Sequence, residues 1–148
     1  MRAFVTAGAG FLLAVLWFDL MFDVQVLRRH EPDERALGSI SAYYRRVTTA
    51  ARPMNRLVAA VMLGTIAAII AEIAGDDSAA WAAWTSLLLA GFAIGLAGAH
   101  TVPAAVRLGT GRDPTTVQGR LARSILRDHI ACLAAIVSLL VIQLAFAG

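Results

Sequence analysis

Lysine is missing from this 148-residue chain, and cysteine occurs once. A lone Cys132 forms no internal disulfide, so the fold stands without a covalent staple and the redox compartment is not readable. Inside an apolar run it reads as a small buried hydrophobe. Charge is scarce too: 16% of residues are charged and 59% are apolar. Mean hydropathy is +0.70. Soluble domains carry about 25% charge. Ala3–Phe18, Leu57–Ala71, Ala79–Ala99 and Ile130–Gly148 hold no charged residue at all.

Those gaps exclude a soluble helical bundle, whose helices each need a polar stripe. With flanking residues, each gap approaches the roughly 20 residues that span a bilayer. The fold class expected is all-α, a four-helix transmembrane bundle in a single membrane domain over 1–148. Arg2 ahead of an apolar run resembles a signal peptide. That run passes into Asp19 and Asp23 with no small-residue cleavage site behind it, so a retained helix is expected.

Membrane helices are predicted over about 3–27, 54–74, 79–107 and 115–146. Short surface helices are predicted at about 32–37, opened by Pro32 with acids in its first turn, and 40–52, with Ser39 as N-cap. Pro53 either kinks that second segment or opens the next helix. Gly75-Asp76-Asp77-Ser78 is a tight turn between antiparallel helices. Asp113-Pro114 reads as a cap and first residue of the last helix, and Trp81 and Trp84 as an interfacial belt. Gly91 and Gly95 form a GxxxG pair, a close-packing face. It would serve the bundle itself, a homo-oligomer or a partner membrane protein.

The net charge is +3, and the pI is near 10. A basic protein of this kind invites a nucleic-acid reading, which the charge distribution excludes, because the arginines flank the apolar runs. All but one of the 13 arginines fall in the first and third connections. The positive-inside rule makes that side cytoplasmic, with the N- and C-termini outside. Abundant Ala and Arg without Lys suggest a GC-rich genome, so the expected location is a bacterial cytoplasmic (inner) membrane. Arginines at the boundary attract anionic lipid headgroups at roughly 1 kcal/mol each.

Depth along each helix, at about 1.5 Å per residue, brings polar groups to one layer at the arginine-rich end. Asp19 and Asp23 close the first helix, and Asn55 and Arg56 open the second. His100 ends the apolar part of the third, and Asp128 and His129 open that of the fourth. The bilayer middle holds only Thr65, Ser86 and Ser138, with Glu72 about a turn from the far edge. A transporter places an ionisable group near the midplane, so this pattern argues against one.

The plainest role for the layer is ion pairing of Asp19 and Asp23 with Arg45, Arg46, Arg52, Arg56 and Arg127. The same ligand types would suit a metal, or a haem held by His100 and His129. A cofactor-free enzyme on a lipid-soluble substrate would use His100 or His129 as base and Asp19 to orient it, with Asp23 a further candidate residue of the site.

From Pro103 to Gln143 the chain has a proline near the end of the third helix, a polar turn and an Arg/His start to the fourth. This stretch resembles small four-helix membrane proteins of the anthrone-oxygenase-like type. The resemblance implies a four-helix membrane fold and carries no catalytic residue over. With no room for a soluble catalytic domain, the function expected is a structural subunit or assembly factor. The membrane enzyme or haem/metal protein is the alternative.

Overall fold

The computed structural model describes residues 1–28, 34–50, 52–75 and 79–146. Its elements are α1 (Arg2–Asp23), α2 (Glu34–Arg45), α3 (Arg52–Gly75), α4 (Ala80–Leu96), α5 (Val102–Thr110) and α6 (Thr115–Ala145). A 3₁₀ turn, Val24–Arg28, extends α1, and π-helical turns follow α2 at Arg46–Ala50 and α4 at Ala97–Thr101. Four stretches are long and apolar enough to cross a membrane: Arg2–Leu27, Pro53–Gly75, Ala80–Thr110 and Thr115–Ala145. The protein is a four-helix membrane bundle.

Four antiparallel neighbours close a ring. Gly8 of α1 meets Thr65 of α3, Gln143 of α6 reaches Glu72 of α3 and Ser86 of α4, and His129 of α6 meets Asp23 of α1. With four alternating crossings, the start of α1 and the end of α6 lie at one end of the bundle and the arginine-bearing connections at the other. At 31 residues, α6 is about 46 Å long. It outreaches a hydrocarbon core of about 30 Å, so its first turns, with Arg120, Arg123 and Arg127, project beyond it.

Two cores stack along the axis. The larger lies within the membrane spans and includes Val5, Leu12, Ile69, Cys132, Ile136 and Leu139. The smaller, at the arginine-rich end, joins Leu37, Ile40 and Tyr44 of α2 to Ala105 and Leu108 of α5 and Ala122 and Ile125 of α6. Thus α2 lies across that end as a cap.

The expected break at Gly38 does not occur, since α2 runs from Glu34 to Arg45. Leu37, Ile40 and Tyr44 share one helical face. Burying them outweighs the roughly 1 kcal/mol cost of a helical glycine on the exposed side. Ser39 is therefore mid-helix, and the predicted start at Pro32 lies outside the described residues, as do the turn residues 76–78. Pro53 opens α3 as its second residue. Pro103 holds the same place in α5, just after the Ala97–Thr101 π turn. A proline blocks the helical bond to the carbonyl four residues back, and the wider turn absorbs that loss. Asp113 does not cap α6, whose N-cap is Pro114 without a side-chain bond. Its carboxylate goes instead to Arg107.

Gly109 is where α5 crosses α2. A Cβ there would sit 2.8 Å from the Arg45 backbone nitrogen, and backbone cannot swing aside. Gly109→Ala is expected to lower stability by about 1–3 kcal/mol, read as a lower Tm in detergent. Gly64→Ala is the control, because its Cβ meets nothing within 4 Å and alanine is the better helix former. An unchanged Tm for Gly109→Ala would refute the close crossing. Gly91 and Gly95 do not pack inside the bundle: both are exposed, and a Cβ on either meets nothing within 4 Å.

Candidate functional site

The polar layer lies between the two cores, and α1 supplies its centre. Asp19 and Asp23, four residues apart, point from one face. Asp23 is fully buried. Its Oδ1 accepts from the Tyr44 hydroxyl at 2.5 Å and its Oδ2 meets His129 Nδ1 at 2.6 Å. Asp19 Oδ1 accepts from the Tyr43 hydroxyl at 2.6 Å. Its Oδ2 stands 3.8 Å from His129 Nε2, beyond hydrogen-bond reach. Tyr43 also stacks on Phe22, with centroids 4.0 Å apart.

Both phenols lie on α2. Burial, then the Asp19 carboxylate, pushes the Tyr43 hydroxyl up from its ordinary range. Burial and the charge of Asp23 push Tyr44 further the same way. Each stays a neutral donor at any physiological pH. A carboxylate only accepts, so the Asp23 contact puts a proton on His129 Nδ1, and in the neutral ring Nε2 keeps a lone pair.

A second pair lies beside the first. Asp128 Oδ2 meets His100 Nδ1 at 2.5 Å and accepts from the Thr101 hydroxyl at 3.1 Å. The His100 side chain is 54% exposed. Asp128 and His129 are thus adjacent on α6 but face different partners. The structure brings Asp19, Asp23 and His129 together, and places His100 in the separate pair. Among the described residues, no group of three His, Cys, Asp or Glu is arranged to hold a metal ion.

The expected arginine pairs differ from what is found. Among the described residues, neither aspartate makes a salt bridge to an arginine; His129 faces both instead. Arg45, Arg46, Arg56 and Arg127 are exposed, where a guanidinium keeps its water. The side chain of Arg52 is not among those described. Sequence reasoning gave Tyr43 and Tyr44 no role. The missed signal was chemical: two buried carboxylates need donors, and adjacent phenols one helix away supply them. Exposed Arg107 does pair with Asp113, bidentate at 2.9 Å. That contact holds Asp113 below its ordinary carboxylate range. The contribution is therefore present above that range and lost as pH falls through the lowered value. The exposed pair stabilises little, and Asp113→Asn is expected to leave the neutral-pH Tm unchanged.

His129 and Asp19 form the polar end of a cleft of about 570 Å³. Its apolar walls include Leu12, Leu16, Val58, Met62, Ala97 and Ile136. The cleft exists because α3 packs by one half only. Its buried residues are Thr65, Ala68, Ile69 and Glu72, whereas Pro53–Leu57 are exposed. Phe18, Met54, Val102 and Val106 rim the cleft and are themselves exposed, so it opens sideways through membrane-spanning surface. A second groove, about 730 Å³, is lined by Arg107, Arg120, Arg123 and Arg127 at the arginine-rich end.

The family model of the SHR3 chaperones, described as "ER membrane protein SH3", matches residues 1–148. The chain belongs to that family. Neither a curated protein nor a solved structure gives a match. The full-length match corrects two expectations. The resemblance to anthrone-oxygenase-like proteins rested on a proline, a polar turn and an Arg/His helix start, which many membrane hairpins share. The bacterial cytoplasmic membrane gives way to an endoplasmic-reticulum family. Absent lysine and abundant Ala and Arg report base composition, not compartment.

Proposed function

We propose that this chain is a membrane-embedded chaperone or assembly factor, which holds the helices of partner membrane proteins in the endoplasmic-reticulum membrane. The observation that carries this reading is the chaperone family match across all 148 residues. The outward face of Gly91 and Gly95 supports it, because exposed small residues allow close backbone approach by a second helix. By the arginine asymmetry, the α2 cap faces the cytosol and both termini face the lumen. The groove of Arg107, Arg120, Arg123 and Arg127 then meets the anionic cytosolic leaflet.

Affinity purification in mild detergent is expected to bring down a polytopic membrane protein in stoichiometric amount. Gly91→Leu with Gly95→Leu is expected to release that partner without lowering the bundle's Tm. A chain that purifies alone, with no membrane protein lost from the membrane on its deletion, would defeat the reading. Orientation has its own test. A glycosylation acceptor fused after Gly148 is expected to be modified and one inserted at Arg112 not; the reverse pattern inverts the topology.

One observation favours a second reading, an enzyme on a lipid-soluble substrate: His129 Nε2 lines the apolar cleft without a hydrogen-bond partner among the described residues. In it His129 is the base and Asp23, rather than Asp19, orients the ring.

A further inference from the structure

The polar end of the cleft has an uneven hydrogen-bond inventory. Asp23 is satisfied on both oxygens, by Tyr44 and by His129 Nδ1. Among the described residues, Asp19 is satisfied on Oδ1 alone, by Tyr43. Two atoms remain, Asp19 Oδ2 and His129 Nε2. Both residues line the cleft, and the two atoms are 3.8 Å apart. In the neutral ring, with its one proton on Nδ1 toward Asp23, both are acceptors. The His129 side chain is 9% exposed and that of Asp19 18%, so both atoms open onto the cleft with little water around them, and an acceptor left without a donor in an apolar cleft is costly. Formal charge leans the same way, with two carboxylates facing one imidazole.

We propose that the cleft binds a single-chain lipid whose head is a protonated primary amine. An ammonium has three donors and no acceptor. Placed between the two atoms, it reaches both at ordinary charge-assisted lengths of about 2.8 Å, because 3.8 Å is well under twice that length. A hydroxyl head has one proton and satisfies one acceptor. A carboxylate head has none to give and meets Asp19 as a like charge. The cleft volume of about 570 Å³ suits a molecule of small-ligand size and is too small for a whole transmembrane helix. The sideways mouth between Phe18, Met54 and Val102 admits an aliphatic tail from the bilayer. The site stands apart from the chaperone reading, because it uses the cleft and not the Gly91/Gly95 face.

Octadecylamine, octadecanol and stearic acid, each added to purified full-length protein in the same dodecylmaltoside micelles, separate these heads. Octadecylamine is expected to raise the Tm and to appear as a one-to-one adduct by native mass spectrometry. The alcohol is expected to bind at least about ten-fold more weakly and the acid not at all. Asp19→Asn keeps the acceptor for Tyr43 and removes the charge, and is expected to weaken octadecylamine binding about ten- to hundred-fold. Ala59→Phe, at an exposed position lining the cleft, is expected to block the adduct while its ligand-free Tm stays near wild type. Equal binding of all three lipids, full binding by Asp19→Asn, or no octadecylamine adduct overturns the proposal. So does a photocrosslinker at Ala59 that captures a polypeptide instead of lipid.

Discussion

Asp23→Ala is expected to destabilise the bundle by about 3–5 kcal/mol, the cost of removing one member of a buried polar network. Asp23 is 0% exposed and holds the Tyr44 hydroxyl and His129 Nδ1 together. Its loss leaves two donors without acceptors at a fully buried position. It also unties α2 and α6 from α1, so the cap at the arginine-rich end should loosen before the membrane spans separate. Hydrogen exchange is then expected to rise first over residues 34–50. The compensating triple variant, Asp23→Ala with Tyr44→Phe and His129→Leu, has no stranded donor and should recover most of the lost Tm. If Asp23→Ala melts like wild type, the network is not what holds the cap.

The second large effect is expected at the other end. Glu72, Ser86 and Gln143 are all 0% exposed. Gln143 Nε2 donates to Glu72 Oε2 at 3.2 Å and to Ser86 Oγ at 3.1 Å. Among the described residues, Glu72 Oε1 and Gln143 Oε1 have no partner, so the cluster is only half satisfied. Gln143→Leu strips Glu72 of its donor and is expected to cost about 3–5 kcal/mol. The double variant Glu72→Met with Gln143→Leu replaces the cluster by apolar groups of similar volume, and is expected to equal or exceed wild-type stability. A double variant less stable than Gln143→Leu alone would mean that the polar cluster itself stabilises the bundle. Both networks join helices far apart in sequence, so melting curves in one detergent report both.

These two clusters mark how far the sequence could be read. Charge-free runs of bilayer length, flanked by arginines, leave a chain few options other than crossing a membrane. The four spans follow from that, as does the single layer shared by Asp19, Asp23, His100, Asp128 and His129. Depth is legible because a helix rises by a constant amount per residue. Rotation is not legible in helices that are apolar all round, because periodicity then marks no inward face. Gly91 and Gly95 show the consequence: their spacing announced a packing face but not which way it turned. Glu72 shows it as well, placed at the right height by sequence and given its Gln143 partner only by the fold. The α2 cap escaped in part because a glycine mid-segment suggested a break, and burial of Leu37, Ile40 and Tyr44 overrode it.

Trp17–Asp23 closes the first apolar run with two carboxylates on one face, and sequence alone determined that they need partners at the membrane boundary. It pointed to the arginines, the most abundant opposite charge nearby. Tertiary structure decided for two tyrosines and a histidine. The physical reason is that arginines gain more by keeping their water at the interface, while phenols on a docked helix satisfy buried carboxylates with no second charge to desolvate. That choice leaves Asp19 Oδ2 and His129 Nε2 facing the cleft without donors, a consequence of helix rotation and docking that residue order alone does not contain.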